Sequence, residues 1–202
     1  MAFRESWRER QPDWHNAPVP SFGDRRARLL IVGLAPGLRG ANRTGRPFTG
    51  DYSGALLYGT LKRFGFARGE YRADPDDGLR LVGAAIVNGV RCVPPQNKPT
   101  SAEINTCRQF LVSAIKAYGR AEAIVALGRI AHETTVRALG RKPAEFPFNH
   151  GAEHDCGRYR LYDSYHCSRQ NTNTGRLTQE MFEAVFQRVR DELEPRTART
   201  RR

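Results

Sequence analysis

The sequence has no apolar run long enough to cross a membrane and no apolar segment of the signal-peptide type. Internal repeats and low-complexity segments are also absent. Four cysteines without a secretory signal argue for reduced thiols or cluster ligands rather than a disulfide framework. These absences argue against membrane and secreted proteins, and we expect a cytoplasmic, nucleoid-associated protein.

Acidic residues are few: 21 Asp and Glu stand against 33 Lys and Arg, which gives a net charge of +12. This excess indicates a polyanionic partner, nucleic acid in particular, and no membrane partner. The alternative is a soluble basic enzyme with an evenly charged surface, since the arginines are scattered along the chain.

The length of 202 residues fits one domain, which we place at residues 1–195 and expect to be monomeric. Within it, residues 1–27 are expected to form an irregular N-terminal arm. Residues 196–202 are predicted to be a disordered basic tail.

Apolar runs alternate with helical patterns along the chain. Thr100 and Glu103 have the spacing of a capping box, and Ser53 is expected to cap an earlier helix. The alternation predicts an α/β protein, a three-layer α/β/α sandwich around a four-stranded, mostly parallel sheet. The strands are expected near residues 29–32, 82–88, 122–128 and 158–164.

A long glycine-rich loop follows the first predicted strand, and two further polar loops follow the second and fourth strands. In a parallel sheet these loops share one edge, which is where open α/β sheets bind ligands. The first loop lacks both the lysine-serine ending of a P-loop and the G-x-G-x-x-G spacing. A nucleotide-binding enzyme that cradles phosphate in this loop is therefore a weaker alternative.

The three loops read GLAPG with ANRTGRPFTGDYSG (33–37, 41–54), NGVRCVPPQNKPT (88–100) and SYHCSRQNTNTGRLT (164–178). In this order they resemble the uracil-DNA glycosylase superfamily, most closely its family-5 (type b) bacterial and archaeal branch. The resemblance covers nearly the whole chain. It implies a monofunctional DNA repair enzyme that starts base-excision repair by hydrolysing the N-glycosidic bond of uracil, with hypoxanthine and xanthine as further candidates.

The resemblance also assigns roles, and these agree with the chemistry of removing a flipped base. Phe48 would stack on the base, Asn88 would read its edge, and His166 is the cationic group expected to hydrogen-bond the departing base. Asp51 becomes the favoured catalytic carboxylate, because Leu34 stands where related branches carry a polar catalytic residue. The predicted base-binding set is Gly33, Leu34, Ala35, Phe48 and Asn88. The predicted DNA-binding set is Arg39, Asn42, Arg43, Arg46, Ser168, Arg169, Gln170 and Asn171.

Each of these residues also has a structural alternative. Asp51 would serve equally well as a helix cap, Asn88 would satisfy backbone groups at a strand end, and Phe48 would be a core residue. Cys167 replaces the proline that usually follows the motif histidine, which puts rate and duplex affinity in doubt. A non-catalytic DNA-binding or damage-sensing protein on the same fold is therefore the main alternative function.

Relatives of this kind carry a [4Fe-4S] cluster on four cysteines, and Cys92 and Cys107 match the later pair. The earlier C-x-x-C pair is absent, so either the start is truncated or the cluster has been lost; two ligands do not hold one firmly. No cofactor is needed for the hydrolysis. His150, His154 and Cys156 have a spacing compatible with zinc, but scattered polar loop residues are the favoured interpretation without a second cysteine pair.

Overall fold

The computed structural model describes residues 2–194, and the predicted basic tail at 196–202 lies outside them. The strands are β1 (Phe22–Gly23), β2 (Leu29–Gly33), β3 (Ala67–Arg68), β4 (Arg80–Leu81), β5 (Ala84–Asn88), β6 (Ala123–Leu127), β7 (Glu153–Asp155) and β8 (Arg160–Ser164). The α-helices are α1 (Ala2–Arg10), α2 (Ala41–Thr44), α3 (Tyr52–Arg63), α4 (Ser101–Ala117), α5 (Arg129–Ala138), α6 (Arg169–Asn173) and α7 (Gln179–Leu193). Single 3₁₀ turns lie at Pro95–Asn97 and Pro143–Glu145.

The main sheet has six strands in the order β1-β5-β2-β6-β8-β7, and β3 pairs with β4 in a separate ribbon. The four central strands are parallel, as predicted. The edge strands β1 and β7 are short and antiparallel, and the sequence analysis did not anticipate them. Both lack the uninterrupted apolar run that marks a strand covered on two faces.

Side chains of the central strands alternate between two hydrophobic cores, which is why these strands read as continuous apolar runs. In β2, Leu29 and Ile31 belong to the core shared with α3 and α7. Leu30 and Val32 belong to the core shared with α4 and α5. The three-layer α/β/α sandwich is therefore confirmed.

Local sequence signals predicted the start of α4 correctly but named the wrong cap for α3. The capping box at Thr100 and Glu103 is present at the start of α4. The cap of α3 is Asp51 rather than Ser53, because the Asp51 side chain accepts a hydrogen bond from the Ser53 backbone N–H.

The arm expected to be irregular contains α1, so that part of the prediction is wrong. Trp7 of this helix stacks on Trp14 with ring centroids 5.6 Å apart, and Arg8 donates to the carbonyl of Asn16. These contacts join α1 to the segment that follows it, and the spacing of residues in the sequence does not reveal them. Residues 2–194 contain no helix long and apolar enough to span a membrane.

Candidate nucleobase pocket

The ends of the parallel strands form one wall of a cavity of about 780 Å³, a size typical of ligand sites. Parallel register brings Gly33 beside Asn88, and Leu127 beside Ser164, at the same edge of the sheet. The loops that follow three of the strands complete the cavity, as the sequence predicted. It is lined by Leu34, Ala35, Gly37, Leu38, Arg39, Gly40, Ala41, Phe48, Asp51, Tyr52, Ser53, Asn88, Asn97, His166, Ser168 and Gln170.

Phe48 forms the aromatic surface of the cavity and is 8% exposed. Its backbone has φ +53°, a left-handed conformation that is costly for a bulky residue. Tyr71 holds it there, because its hydroxyl donates to the Phe48 carbonyl at 3.1 Å. The Phe48 ring lies nearly parallel to the His166 ring, with centroids 5.8 Å apart.

Asn88 is buried, and its Oδ1 has no hydrogen-bond partner within residues 2–194. An amide left without a partner at the end of a buried strand is costly unless a ligand satisfies it. A methyl group on the neighbouring Gly33 would lie 2.5 Å from this Oδ1 and 2.9 Å from the Phe48 ring. Only glycine therefore lets Asn88 and Phe48 approach each other across the strand end.

The two oxygens of the Asp51 carboxyl group have different surroundings. Oδ1 accepts the Ser53 N–H at 3.0 Å and caps α3, while Oδ2 faces the loop backbone at Gly37 and Gly40. A methyl group on Gly40 would lie 2.5 Å from Oδ2, so this approach also requires glycine. Because Asp51 lines the cavity in addition to capping the helix, the two interpretations of its sequence position are compatible. Burial raises the pKa of its carboxyl group above the ordinary value.

His166 is half-buried, and burial lowers the pKa of its imidazole to about 4. It is therefore neutral at pH 7, which corrects the expectation of a cationic group. The Asn171 side chain donates to the His166 carbonyl at 2.8 Å, and a methyl group on Gly128 would lie 3.5 Å from His166 Cβ. Asn171, predicted as a DNA contact, thus holds the loop that carries the imidazole.

Cys167 lies inside the protein and does not line the cavity. Its side chain is fully buried in the core that packs against α3 and α7. Burial, followed by the charge of Asp51, raises the pKa of the thiol well above its ordinary range. The residue that replaces proline is thus a neutral core side chain, and Ser168 beside it caps α6.

Two residues of the predicted DNA-binding set are inside the protein, so the prediction is wrong for them. The guanidinium of Arg46 pairs with both Asp77 oxygens at 2.8 and 2.7 Å and holds the pKa of Asp77 far below its ordinary value. Asn42 is fully buried and donates to Asn16 at 2.9 Å. Arg39 and Arg43 are exposed near the cavity mouth and the adjoining helix α2.

Several cavity residues were not singled out in the sequence analysis, and Asn97 and Tyr52 are the polar and aromatic side chains among them. Asn97 lies in the loop after β5, and its Oδ1 accepts the Leu38 N–H at 3.3 Å, which joins the first two loops. Tyr52 follows the capping aspartate and is 44% exposed at the cavity. The position of Tyr52 next to Asp51 is the sequence signal that could have identified it as a cavity residue. No comparable signal from its sequence neighbours identifies Asn97.

The cysteines do not assemble the ligands of an iron-sulfur cluster within residues 2–194. Cys92 is half-buried and accepts a hydrogen bond from Arg4 at 3.0 Å, and Cys107 is half-buried on α4. The other two, Cys156 and Cys167, are buried in opposite cores. Four converging thiolates are required, so these residues do not fit the group.

A second polar cluster, the His–Asp–His cluster, consists of His132, His154 and Asp163. Asp163 is fully buried; its oxygens lie 2.6 Å from His132 Nδ1 and 3.0 Å from His154 Nε2. The other nitrogen of His132 donates to the Phe146 carbonyl at 2.7 Å. Two ligands of one tetrahedral zinc ion would lie about 3.3 Å apart, whereas the 2.6 Å contact between His132 and Asp163 is that of a hydrogen bond. His154 therefore belongs to a buried network rather than to a scattered polar loop.

These observations define a class of protein. The fold is an α/β/α sandwich with a pocket at the carboxyl edge of its parallel strands, and an aromatic ring, an amide, an imidazole and a carboxylate line that pocket. Such a set suits a flat heterocycle with polar edges.

Comparison with known proteins identifies the family. The profile of the Uracil DNA glycosylase superfamily matches residues 20–190. The type-5 uracil-DNA glycosylase of Thermus thermophilus is 48% identical over 177 residues, which cover 87% of this chain and 80% of the relative. The type-5 enzymes of Pyrobaculum aerophilum and Mycobacterium bovis are 40% and 43% identical; each alignment covers 92% of this chain, and 78% and 74% of the relatives. The chain therefore belongs to the uracil-DNA glycosylase superfamily, in its type-5 branch.

Proposed function

We propose that the chain is a monofunctional DNA glycosylase that hydrolyses the N-glycosidic bond of uracil in DNA. Family membership supports the reaction class. The observation that carries the proposal is the convergence of Asp51, Asn88 and His166 around Phe48 in one cavity. We call the three polar residues the pocket triad. Hypoxanthine and xanthine are further candidate substrates.

In the proposed reaction the bond between C1′ and the base nitrogen breaks, and its electron pair leaves with the base. Water adds its oxygen to C1′, and the proton released balances the charge on the base. Charge therefore develops in opposite senses on sugar and base, and each calls for a complementary group already in place.

The Asp51 carboxylate is the group we assign to the sugar side, where it orients water or stabilises the oxocarbenium-like centre. His166 donates a neutral hydrogen bond to the base oxygen on which negative charge accumulates. Asn88 pairs with the base edge through its side-chain amide, whose Oδ1 has no partner within residues 2–194. No lysine nucleophile lines the cavity within the described residues, which agrees with hydrolysis without a lyase step.

DNA is the proposed partner, with the exposed arginines Arg39, Arg43 and Arg169 and the polar residues Ser168 and Gln170 as contacts. The proposal includes monomeric action in the cytoplasm, in association with the nucleoid. Gel filtration and cell fractionation test these two points.

The test of the proposal is release of free uracil from a uracil-containing oligonucleotide under single-turnover conditions. Asp51→Asn is the informative variant, because asparagine caps a helix as well as aspartate does but carries no charge. We expect a rate about 10²–10³-fold lower with DNA binding nearly unchanged. A wild-type rate in Asp51→Asn would leave Asp51 as a cap alone. No release by the wild-type protein would favour the non-catalytic DNA-binding alternative.

A further inference from the structure

Tyr52 is an exposed aromatic residue at the boundary between two cavities. Among the described residues, three large hydrophobic side chains are exposed: Tyr52 at 44%, Phe110 at 45% and Ile130 at 41%. Of these, only Tyr52 lines the nucleobase pocket. It also lines an adjoining groove of about 610 Å³ between α3 and the start of α7. An exposed ring at this place is available to a ligand that extends beyond the pocket.

Arg169 covers one face of the Tyr52 ring, with its guanidinium carbon 5.1 Å from the ring centroid. Since nearly half of the residue remains exposed under this contact, another part of the ring faces solvent. The Tyr52 hydroxyl forms no hydrogen bond within residues 2–194. The arrangement places an aromatic ring and a cation in contact with each other at the mouth of the pocket.

The two aromatic residues of the pocket lie at different depths. Phe48 is 8% exposed and packs against His166, whereas Tyr52 is exposed at the mouth. A base that enters far enough to reach Phe48 and Asn88 leaves its neighbours along the strand outside. Those neighbours present the flat faces and phosphates that an aromatic ring beside an arginine recognises.

We propose that Tyr52 stacks on the nucleobase next to the flipped nucleotide, while Arg169 supports the opposite face of the ring and contacts the adjacent phosphate. The inference rests on the proposed function, because it assumes a flipped base in the pocket. It adds a subsite for the neighbouring nucleotide to that function. The groove beyond Tyr52 gives the strand a path away from the pocket.

The experiment uses oligonucleotides in which 2-aminopurine, whose fluorescence falls on stacking, is placed on either side of the uridine. A 2′-fluorine on the uridine sugar blocks hydrolysis, so that binding is measured at equilibrium. With the wild-type protein we expect quenching of 2-aminopurine at one of the two positions. Tyr52→Leu should abolish that quenching and weaken binding about 5- to 150-fold, the range for one base stacked on an aromatic side chain. Tyr52→Phe should retain both properties.

Phe110→Leu is the matched control. Phe110 is equally exposed and also lies under an arginine, with the Arg91 guanidinium carbon 5.8 Å from its ring, but it is outside the pocket. We expect wild-type binding and quenching in this variant, and a wild-type urea midpoint in both leucine variants.

Wild-type binding and quenching in Tyr52→Leu would overturn the inference, and so would an equal loss in Phe110→Leu. Neither result would affect the proposed function as long as the wild-type protein releases uracil from the unfluorinated oligonucleotide. Failure of that release would count against the proposed function itself.

Discussion

Two groups of buried or half-buried polar side chains among the described residues differ in how fully their hydrogen bonds are satisfied. In the His–Asp–His cluster, both nitrogens of His132 and both oxygens of Asp163 have partners. In the pocket triad, Asp51 Oδ1 accepts the Ser53 N–H, but Asn88 Oδ1 has no partner within the described residues, and the His166 ring packs against Phe48. Buried polar groups without partners reduce stability, whereas a satisfied network fixes a structure. The difference fits the proposed binding of a base at the pocket triad and a structural function for the His–Asp–His cluster.

The positions of the cluster residues agree with a supporting function. Asp163 lies near the end of β8, three residues before His166, and its partner His132 lies in α5. The turn that leads into α5 begins at Gly128, whose N–H donates to the Ser164 carbonyl, and a methyl group on this glycine would lie 3.5 Å from His166 Cβ. The cluster thus joins the two segments that enclose the imidazole.

The largest expected effect is on stability, in Asp163→Ala. Asp163 is fully buried, and its oxygens lie 2.6 Å from His132 Nδ1 and 3.0 Å from His154 Nε2, so its removal leaves two ring nitrogens without their partner. A buried polar group without a partner costs about 1–3 kcal/mol, so two such groups should cost several kcal/mol, which urea denaturation would measure.

The control for that variant is Glu122→Ala, which removes an exposed pair with Arg28 at 2.7 Å and should cost about 1 kcal/mol or less. Equal losses of unfolding free energy in the two variants would show that the His–Asp–His cluster contributes no more to stability than an exposed ion pair.

His166→Ala tests the other member of the comparison. The single-turnover rate of uracil release should fall about 10²–10³-fold, because a donor to the departing base is lost. The free energy of unfolding should change much less than in Asp163→Ala, since no hydrogen bond within the described residues holds the imidazole. A large loss of stability with little loss of rate would reverse the distinction between the two groups.

The pH dependence of kcat/KM tests the protonation states assigned to Asp51 and His166. Burial raises the pKa of Asp51 above its ordinary value, and the proposed mechanism requires the carboxylate, so the rate should fall as pH decreases through this raised pKa. His166 has a pKa of about 4 and stays neutral above it, so we expect no inflection near 6.5. The acid limb should disappear in Asp51→Asn. An inflection near 6.5 that His166→Ala removes would contradict this assignment.

The same shift has a consequence for stability. A carboxyl group with a raised folded-state pKa binds protons more strongly in the folded protein, so Asp51 costs stability at neutral pH, and this cost is relieved as pH falls. Asp51→Asn, which keeps a helix cap, should therefore be at least as stable as the wild-type protein at pH 7.

Local patterns determined the framework of this protein. The apolar runs predicted the four parallel strands, because burial on both faces demands them. The capping box at Thr100 and Glu103 predicted the start of α4, since its two residues lie only three positions apart. The motif loops predicted that Phe48, Asn88, Asp51 and His166 would meet, because parallel strands end at the same edge.

Only the tertiary structure decided which polar side chains face a ligand and which face each other. Arg46 has the sequence context of a DNA-contacting arginine. In the folded protein it is buried and pairs with Asp77, which lies 31 residues away in the sequence. His132 has no local pattern, and its pairing with Asp163 depends on the packing of α5 against β8. Charge and hydrogen-bonding capacity are properties of a residue, but burial and partners are set by chain segments far apart in sequence. For that reason the sequence predicted the pocket, whereas the network that supports it became evident only in the folded protein.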